Sequence, residues 1–494
     1  MFLFSYCYWG IELSYLLRLG LINPNFKSLF FIYNSSMAKN NKYEIDMCNG
    51  PLMGKLISFS IPLVLSANLQ LLFNAVDIIV VGKFSGSSAL AAVGSTTALI
   101  NLTINLLMGI SLGASVMTGH FFAIKDNQSM ADTVHTSIAF SIFGGIVVGI
   151  FGISLGGWAL KLMGTPDEIF ELAVLYIRVY FIGMPFFMVY NYGAAILRGV
   201  GDTKRPLFFL ILAGIINACL NMILVIVFKL GVLGVAIATV FSQFISCLLV
   251  VICLCKAEGS YKLHLKKIFL PGCIKAPYLK RLFKIGLPAG LQSMVINFSN
   301  ILLQSSVNSF GGVAMAGYTA ANNVFGFLYA TVNSFAQTCM NFMSQNFAAK
   351  KFHRMDKVLR DCILLSVSVT IILGSGVYVF GEQILGIYTN SAEVIKYGMD
   401  VFLYTTTTYF ICGLMDLFPG AMRGMGFSTV PMILSVIGTV GIRIFWIFCI
   451  FPLHPSLDVL FISYPLSWIV TVVMQIICYV FVRKKIITNF STIK

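Results

Sequence analysis

The chain has 494 residues; 58% are hydrophobic, only 10% are charged, and the mean hydropathy is +0.90. A soluble domain carries roughly 25% charged residues, so this composition excludes one solvated over its whole outside. The formal net charge of +15 arises from 33 Lys and Arg against 18 Asp and Glu, and its distribution, described below, points to membrane topology and away from nucleic acid.

In chain order, residues 1–36 are rich in Phe, Tyr, Leu and Ile but interrupted by Glu12 and Arg18. They fit an additional interfacial helix, a poor signal peptide, or upstream sequence preceding a start at Met37. The last is preferred, because Met37-Ala38-Lys39-Asn40-Asn41-Lys42 reads as an ordinary polar N-terminus. Twelve apolar stretches follow, at roughly 57–82, 94–120, 137–160, 170–196, 206–228, 232–255, 283–307, 317–345, 361–381, 396–422, 431–451 and 457–482. Each reaches the roughly 20 residues that a helix needs to cross a bilayer. Strand-period alternation is absent, which disfavours a membrane barrel.

Basic residues sort by loop. Five precede the first span, 22 fall in the even-numbered connections and the C-terminus, and only Lys83, Lys161, Lys229 and Lys396 lie in the odd-numbered ones. Positively charged loops stay in the cytoplasm. Both termini and the central loop are therefore expected there, in a multi-pass protein of the cell (inner or plasma) membrane. Twelve cysteines are scattered, with only Cys253 and Cys255 two apart, and five His form no ligand pair. Neither a disulfide framework nor a metal site is indicated, and no cofactor is expected.

A ten-residue string divides the chain. Leu197-Arg198-Gly199-Val200-Gly201-Asp202-Thr203-Lys204-Arg205-Pro206 returns 225 residues later as Met422-Arg423-Gly424-Met425-Gly426-Phe427-Ser428-Thr429-Val430-Pro431. Ile61-Pro62 likewise matches Leu287-Pro288 at 226. Six spans in each copy make parallel repeats, so the two halves share one orientation. The expected fold is an all-α polytopic membrane protein, twelve transmembrane helices in two six-helix lobes related by a pseudo-two-fold axis. Its expected divisions are an N-terminal extension over 1–50, lobes over 51–255 and 281–485, an interlobe loop over 256–280 and a tail over 486–494. The Arg-Gly-x-Gly turns read as corners of the fold anchored by snorkelling arginines, and Pro62, Pro185, Pro288 and Pro419 as candidate bends.

On the residues alone, Asp77 stands out, because a carboxylate in the bilayer interior is expensive and marks an ion or substrate pathway. Asn217 and Asn221 share one face of the fifth span, Thr239 lies on the sixth and Tyr176 on the fourth. By themselves, Asn and Thr within spans read as helix–helix hydrogen-bond partners. In the second half, Asp416 and Arg443 are opposite charges on the tenth and eleventh spans, and the simplest expectation is that they pair. The alternative is a second charge site for substrate or cation. Asn191 holds a polar group seven residues before Arg198, as Asp416 does before Arg423.

The chain resembles the multidrug and toxic compound extrusion (MATE) family of cation-coupled antiporters, over about residues 50–485. The resemblance is carried by Ile61-Pro62, Val76-Asp77-Ile78-Ile79-Val80-Val81-Gly82, Ala89-Leu90-Ala91-Ala92-Val93-Gly94, Leu197-Arg198-Gly199-Val200-Gly201-Asp202-Thr203-Lys204 and Gly231-Val232-Leu233-Gly234-Val235-Ala236-Ile237-Ala238-Thr239. Its first-span acid looks like that of the DinF-type branch. The resemblance implies that Asp77 binds the coupling cation, H⁺ or Na⁺, with Tyr176, Asn217, Asn221 and Thr239 around it. Asn221 stands where the family has a second acid. It also implies an antiporter, working as a monomer, that exports amphipathic, often cationic, drugs or metabolites by alternating access. The runner-up is a flippase for a lipid-linked precursor, which needs a basic cavity, whereas the spans hold only Arg178 and Arg443. An enzyme is disfavoured because no metal cluster, Ser/His pair or Walker lysine is evident.

Overall fold

The computed structural model of the chain describes residues 43–491. The start at Met37 and the extra N-terminal helix lie outside the described residues. Twelve helical spans follow the predicted apolar stretches. We label them α1 (Leu52–Phe84), α2 (Ser87–Ala123), α3 (Asn127–Leu162), α4 (Asp167–Ile182 resumed as Met184–Val200), α5 (Lys204–Asn221 with a π turn over Met222–Val227), α6 (Gly231–Lys256), α7 (Ala276–Asn308), α8 (Gly312–Ala348), α9 (Phe352–Val379), α10 (Ala392–Thr405 resumed as Tyr409–Gly424), α11 (Thr429 to Leu453, with π turns over Val436–Gly441 and Trp446–Ile450) and α12 (Leu457–Ser491). Eight are apolar and long enough to cross a membrane unaided, and α4 and α10 qualify when each bent pair is taken as one span. The remaining two, α7 and α8, carry Gln292, Asn297, Asn300, Asn322, Asn323, Asn333 and Gln337. Polar side chains of this kind belong against protein or water and not lipid.

The bends do not follow proline. Helix α4 breaks by 45° at Gly183, just before Pro185. Helix α10 breaks by 51°, but at Thr406–Thr408 and not at Pro419, which sits inside an unbroken helix. Each of Thr405, Thr406, Thr407 and Thr408 donates its hydroxyl to the carbonyl four residues back. That competition with the helix's own ladder bends helices. Pro62 and Pro288 also lie within continuous helices.

The lobes meet through the halves of α1, α2, α7 and α8 nearest the basic loops. Gly109 and Gly290 touch backbone to backbone, as do Gly113 with Leu282 and Gly286 with Ile110; no Cβ fits between them. Small residues allow such close approach of helices in membranes. Hydrogen bonds stitch the same region: Ser115 to Asn341 at 2.7 Å, Ser344 to the Val116 carbonyl at 2.7 Å, and Ser60 with Thr338 at 3.0 Å. Among the described residues, no hydrogen bond joins the lobes through the opposite halves of these helices.

The two copies of the repeated string are used differently. Their arginines do not snorkel: Arg198 turns inward to Gln337 of the other lobe at 3.0 Å, and Arg423 to Gln292 at 2.5 Å. Gly201 and Gly426 both adopt positive φ, 104° and 90°. Gly426 faces open space, whereas a Cβ on Gly201 would lie 2.6 Å from the Ile45 carbonyl oxygen. Residues 43–50 form a strap beneath that glycine. Ile45 donates its amide to Gly201, and Tyr261 donates to Glu44 at 2.6 Å, both in the first lobe's territory. Burial and the neighbouring Glu44 push the Tyr261 phenol well above its ordinary pKa, which keeps it a donor. From the second lobe, Asn346 and Arg354 reach the Met47 carbonyl and Lys351 the Cys48 carbonyl. Gly201→Ala should therefore destabilise the protein more than Gly426→Ala. Both incur the left-handed backbone cost of about 1–2 kcal/mol, but only the first displaces the strap. Thermal unfolding of the two purified variants checks this, and equal losses contradict it.

Candidate functional site

Asp77 lies near the end of α1 remote from the basic loops, 9% exposed, facing α5 and α6. Asn221 donates its amide to one carboxylate oxygen of Asp77, and Thr239 donates its hydroxyl to the other at 3.3 Å. Asn217, one helical turn before Asn221, accepts from it at 3.3 Å. The i, i+4 spacing on α5 thus places both amides on the face turned toward α1. Tyr176 and Tyr180 on α4 are buried within the electrostatic reach of Asp77. The structure joins four of the five residues expected there, Asp77, Asn217, Asn221 and Thr239, by hydrogen bonds, whereas Tyr176 packs near Tyr180 on α4 without a hydrogen bond to them.

Among the described residues no basic side chain pairs with Asp77, so its carboxylate is held by neutral donors. The Asn221 carbonyl oxygen is buried with no partner. With Asp77, Asn217 and Thr239 it makes a set of hard oxygen atoms, the donor type that suits a proton or a small hard cation. Immediately after Asn221 the helix widens into the π turn Met222–Val227, a feature frequent at functional sites.

The second lobe departs from expectation. Asp416 and Arg443 do not pair. Asp416 lies beside the Tyr329 hydroxyl in the field of Arg423, with Oδ2 lacking a partner. Arg443 instead donates to Asn300 at 2.8 Å and Ser467 at 3.2 Å, and stacks over the Tyr464 ring at 4.5 Å. The reason is depth. Asp416 is eight residues from the basic end of α10, whereas Arg443 lies in the far half of α11. Adjacent helices in sequence do not place these two charges at one level. Asn191, expected with Asp416 and Arg443 as a substrate or charge site, joins neither of them by a hydrogen bond; its amide donates to the Phe187 carbonyl of its own helix at 2.8 Å.

Tyr329, Asn300 and Tyr464 were not singled out in the sequence. A buried charge nearby was the available signal, but only packing identifies which neutral residues surround it.

A twelve-helix, two-lobed bundle with a buried carboxylate cluster in one lobe defines the class: a polytopic membrane transporter. A profile of the MatE family matches residues 62–223 and 288–448, once per lobe. The chain belongs to that family, the multidrug and toxic compound extrusion transporters, and is not an enzyme. It is 29% identical over 433 residues to the probable multidrug resistance protein YoeA of Bacillus subtilis (strain 168), covering 86% of this chain and 93% of that one. It is 22% identical to the multidrug export protein MepA of Staphylococcus aureus (strain MSSA476), covering 78% and 85%. Among solved structures, an outward-facing multidrug resistance MATE transporter of the MOP superfamily superposes with a TM-score of 0.82, at 20% identity over 90% of this chain and 99% of that one. At that identity the likeness concerns the fold.

Proposed function

We propose that this protein is a secondary active multidrug efflux transporter that exchanges H⁺ or Na⁺ for amphipathic, often cationic, small molecules. The observation that carries this reading is the buried Asp77 carboxylate held only by neutral donors, Asn221 and Thr239. A cation arriving there changes the charge of the lobe interior, and that change biases the lobe's packing. Its position in the first helix also supports the DinF-type branch.

The lobes work by alternating access. The basic face lies in the cytoplasm, as do both termini, so contact between the lobes at that face closes the cytoplasmic path. Cation binding to the 51–255 lobe favours substrate release outside, and cation release inside resets the cycle. Efflux of a fluorescent cationic dye from proteoliposomes, under an imposed pH or Na⁺ gradient, tests this. Gradient-dependent dye movement is the expected result; movement indifferent to both gradients overturns the coupling.

A further inference from the structure

The second lobe buries a charge that the proposed coupling does not use. Arg443 is 2% exposed. Its partners are an amide, a hydroxyl and an aromatic ring: Asn300, Ser467 and Tyr464. The Tyr464 hydroxyl is itself bonded to Tyr318 at 2.7 Å. Among the described residues no carboxylate lies within ion-pairing distance of the guanidinium. Two hydrogen bonds, to Asn300 and Ser467, hold the guanidinium, but among the described residues no acid pairs with its charge, and an ionisable residue inside a membrane protein points to a functional partner.

The position has a counterpart. Asn217 of the Asp77 cluster lies 226 residues before Arg443, although the flanking prolines, Pro206 and Pro431, are 225 apart. The π turn Val436–Gly441 falls between Pro431 and Arg443. A π turn accommodates one extra residue in a helix, so the two offsets describe one alignment and Arg443 occupies the place of Asn217. At the same offset of 226, Leu303 stands where Asp77 stands, and Asn300 where Asn74 stands. The second lobe therefore repeats the architecture of the Asp77 site with its acid removed and a cation inserted.

Access runs along α7. Asn300, which touches the guanidinium, is half-buried, and Asn297 one turn away is exposed on the same polar helix. Asn300 thus links Arg443 to the polar stripe of α7 that reaches the surface at Asn297.

We propose that Arg443, with Asn300, Tyr464 and Ser467, is an anion-accepting subsite that takes the carboxylate of zwitterionic or anionic amphipathic substrates. This rests on the efflux reading and extends its substrate class: the first lobe offers a negative group, the second a positive one. A planar guanidinium suits a carboxylate because it can donate two parallel hydrogen bonds.

The test uses a matched pair of rhodamine dyes, a cationic methyl ester and its zwitterionic free acid, with the purified full-length protein. Binding is read by fluorescence anisotropy and transport in proteoliposomes. Arg443→Gln is expected to weaken the free acid by about tenfold or more, the scale of a charged hydrogen bond, and to leave the ester within about twofold. Arg443→Lys should restore part of the loss. Asn300→Asp supplies an internal carboxylate to Arg443 and should weaken the free acid as Arg443→Gln does, while the protein keeps its native unfolding temperature. Equal losses for both dyes, or no loss for either, overturn the subsite. Native protein that handles the ester but not the acid overturns the subsite and leaves the efflux reading standing. Native protein that handles neither dye overturns the efflux reading and the subsite with it.

Discussion

Asp77→Asn is expected to lower gradient-driven dye efflux by about tenfold or more, because it removes the one charge in the cluster that a cation can neutralise. The substitution is close to isosteric and lies among neutral donors, so folding should be retained. One new cost arises: the amide introduced in place of the carboxylate faces the donating amide of Asn221, but rotation of Asn221 presents its own carbonyl oxygen instead. Dye binding in detergent should therefore persist while coupling is lost. The measurement is efflux in proteoliposomes under pH and Na⁺ gradients, native against variant. Full gradient-driven efflux by the variant would remove Asp77 from the coupling mechanism. Thr239→Ala, which removes the 3.3 Å hydrogen bond to Asp77 together with the hydroxyl's bond to the Val235 carbonyl, should give a smaller loss than Asp77→Asn.

The second large effect is steric. Gly286 packs on the backbone of Ile110, and Gly290 lies 2.6 Å, measured from an added Cβ, from the Leu106 carbonyl oxygen. Backbone offers no rotamer by which to yield, so Gly286→Leu cannot be absorbed locally. Overpacking costs about 1–3 kcal/mol in an ordinary core, and here the cheapest relief is separation of α2 from α7. The expected outcome is a protein that inserts and folds but no longer closes at its basic face. A cysteine placed at Ser115, in the sealed region beside Asn341, reports this through its labelling by a membrane-impermeant thiol reagent from that face, measured on a background with the native cysteines replaced. Labelling should rise several-fold and transport should fall. Native labelling together with native transport would show that the glycine contact does not govern closure.

Most of the fold was legible from the chain itself. The twelve apolar stretches coincide with the twelve helical spans because a bilayer leaves a long apolar segment no option but to close its own backbone hydrogen bonds. The repeat of Arg198 to Pro206 at Arg423 to Pro431 aligned the lobes because each copy fills an equivalent corner. Within the site, Asp77 and the Asn217–Asn221 face were also readable, since one residue's rarity and another pair's four-residue spacing are local properties.

What failed was anything that depends on where two distant segments meet. Asp416 and Arg443 looked like a pair because they lie on consecutive spans, yet α10 and α11 run in opposite directions and place them at different levels. Pro419 looked like a bend, but the break fell on the four threonines, whose hydroxyls compete for backbone carbonyls.

Twelve crossings of a membrane in two like halves follow from the order of residues alone, because hydropathy and duplication are written residue by residue. The buried acid was nominated in the same way, because charge in an apolar run is costly wherever the run packs. Folding in three dimensions was needed to fix which donors hold that acid, and that Arg443 meets Asn300, Ser467 and Tyr464 and not Asp416. It also fixed that one copy of the repeated turn seats a strap while the other faces open space. Those outcomes are contacts between residues far apart in the chain, and packing geometry, which no local pattern encodes, selects them.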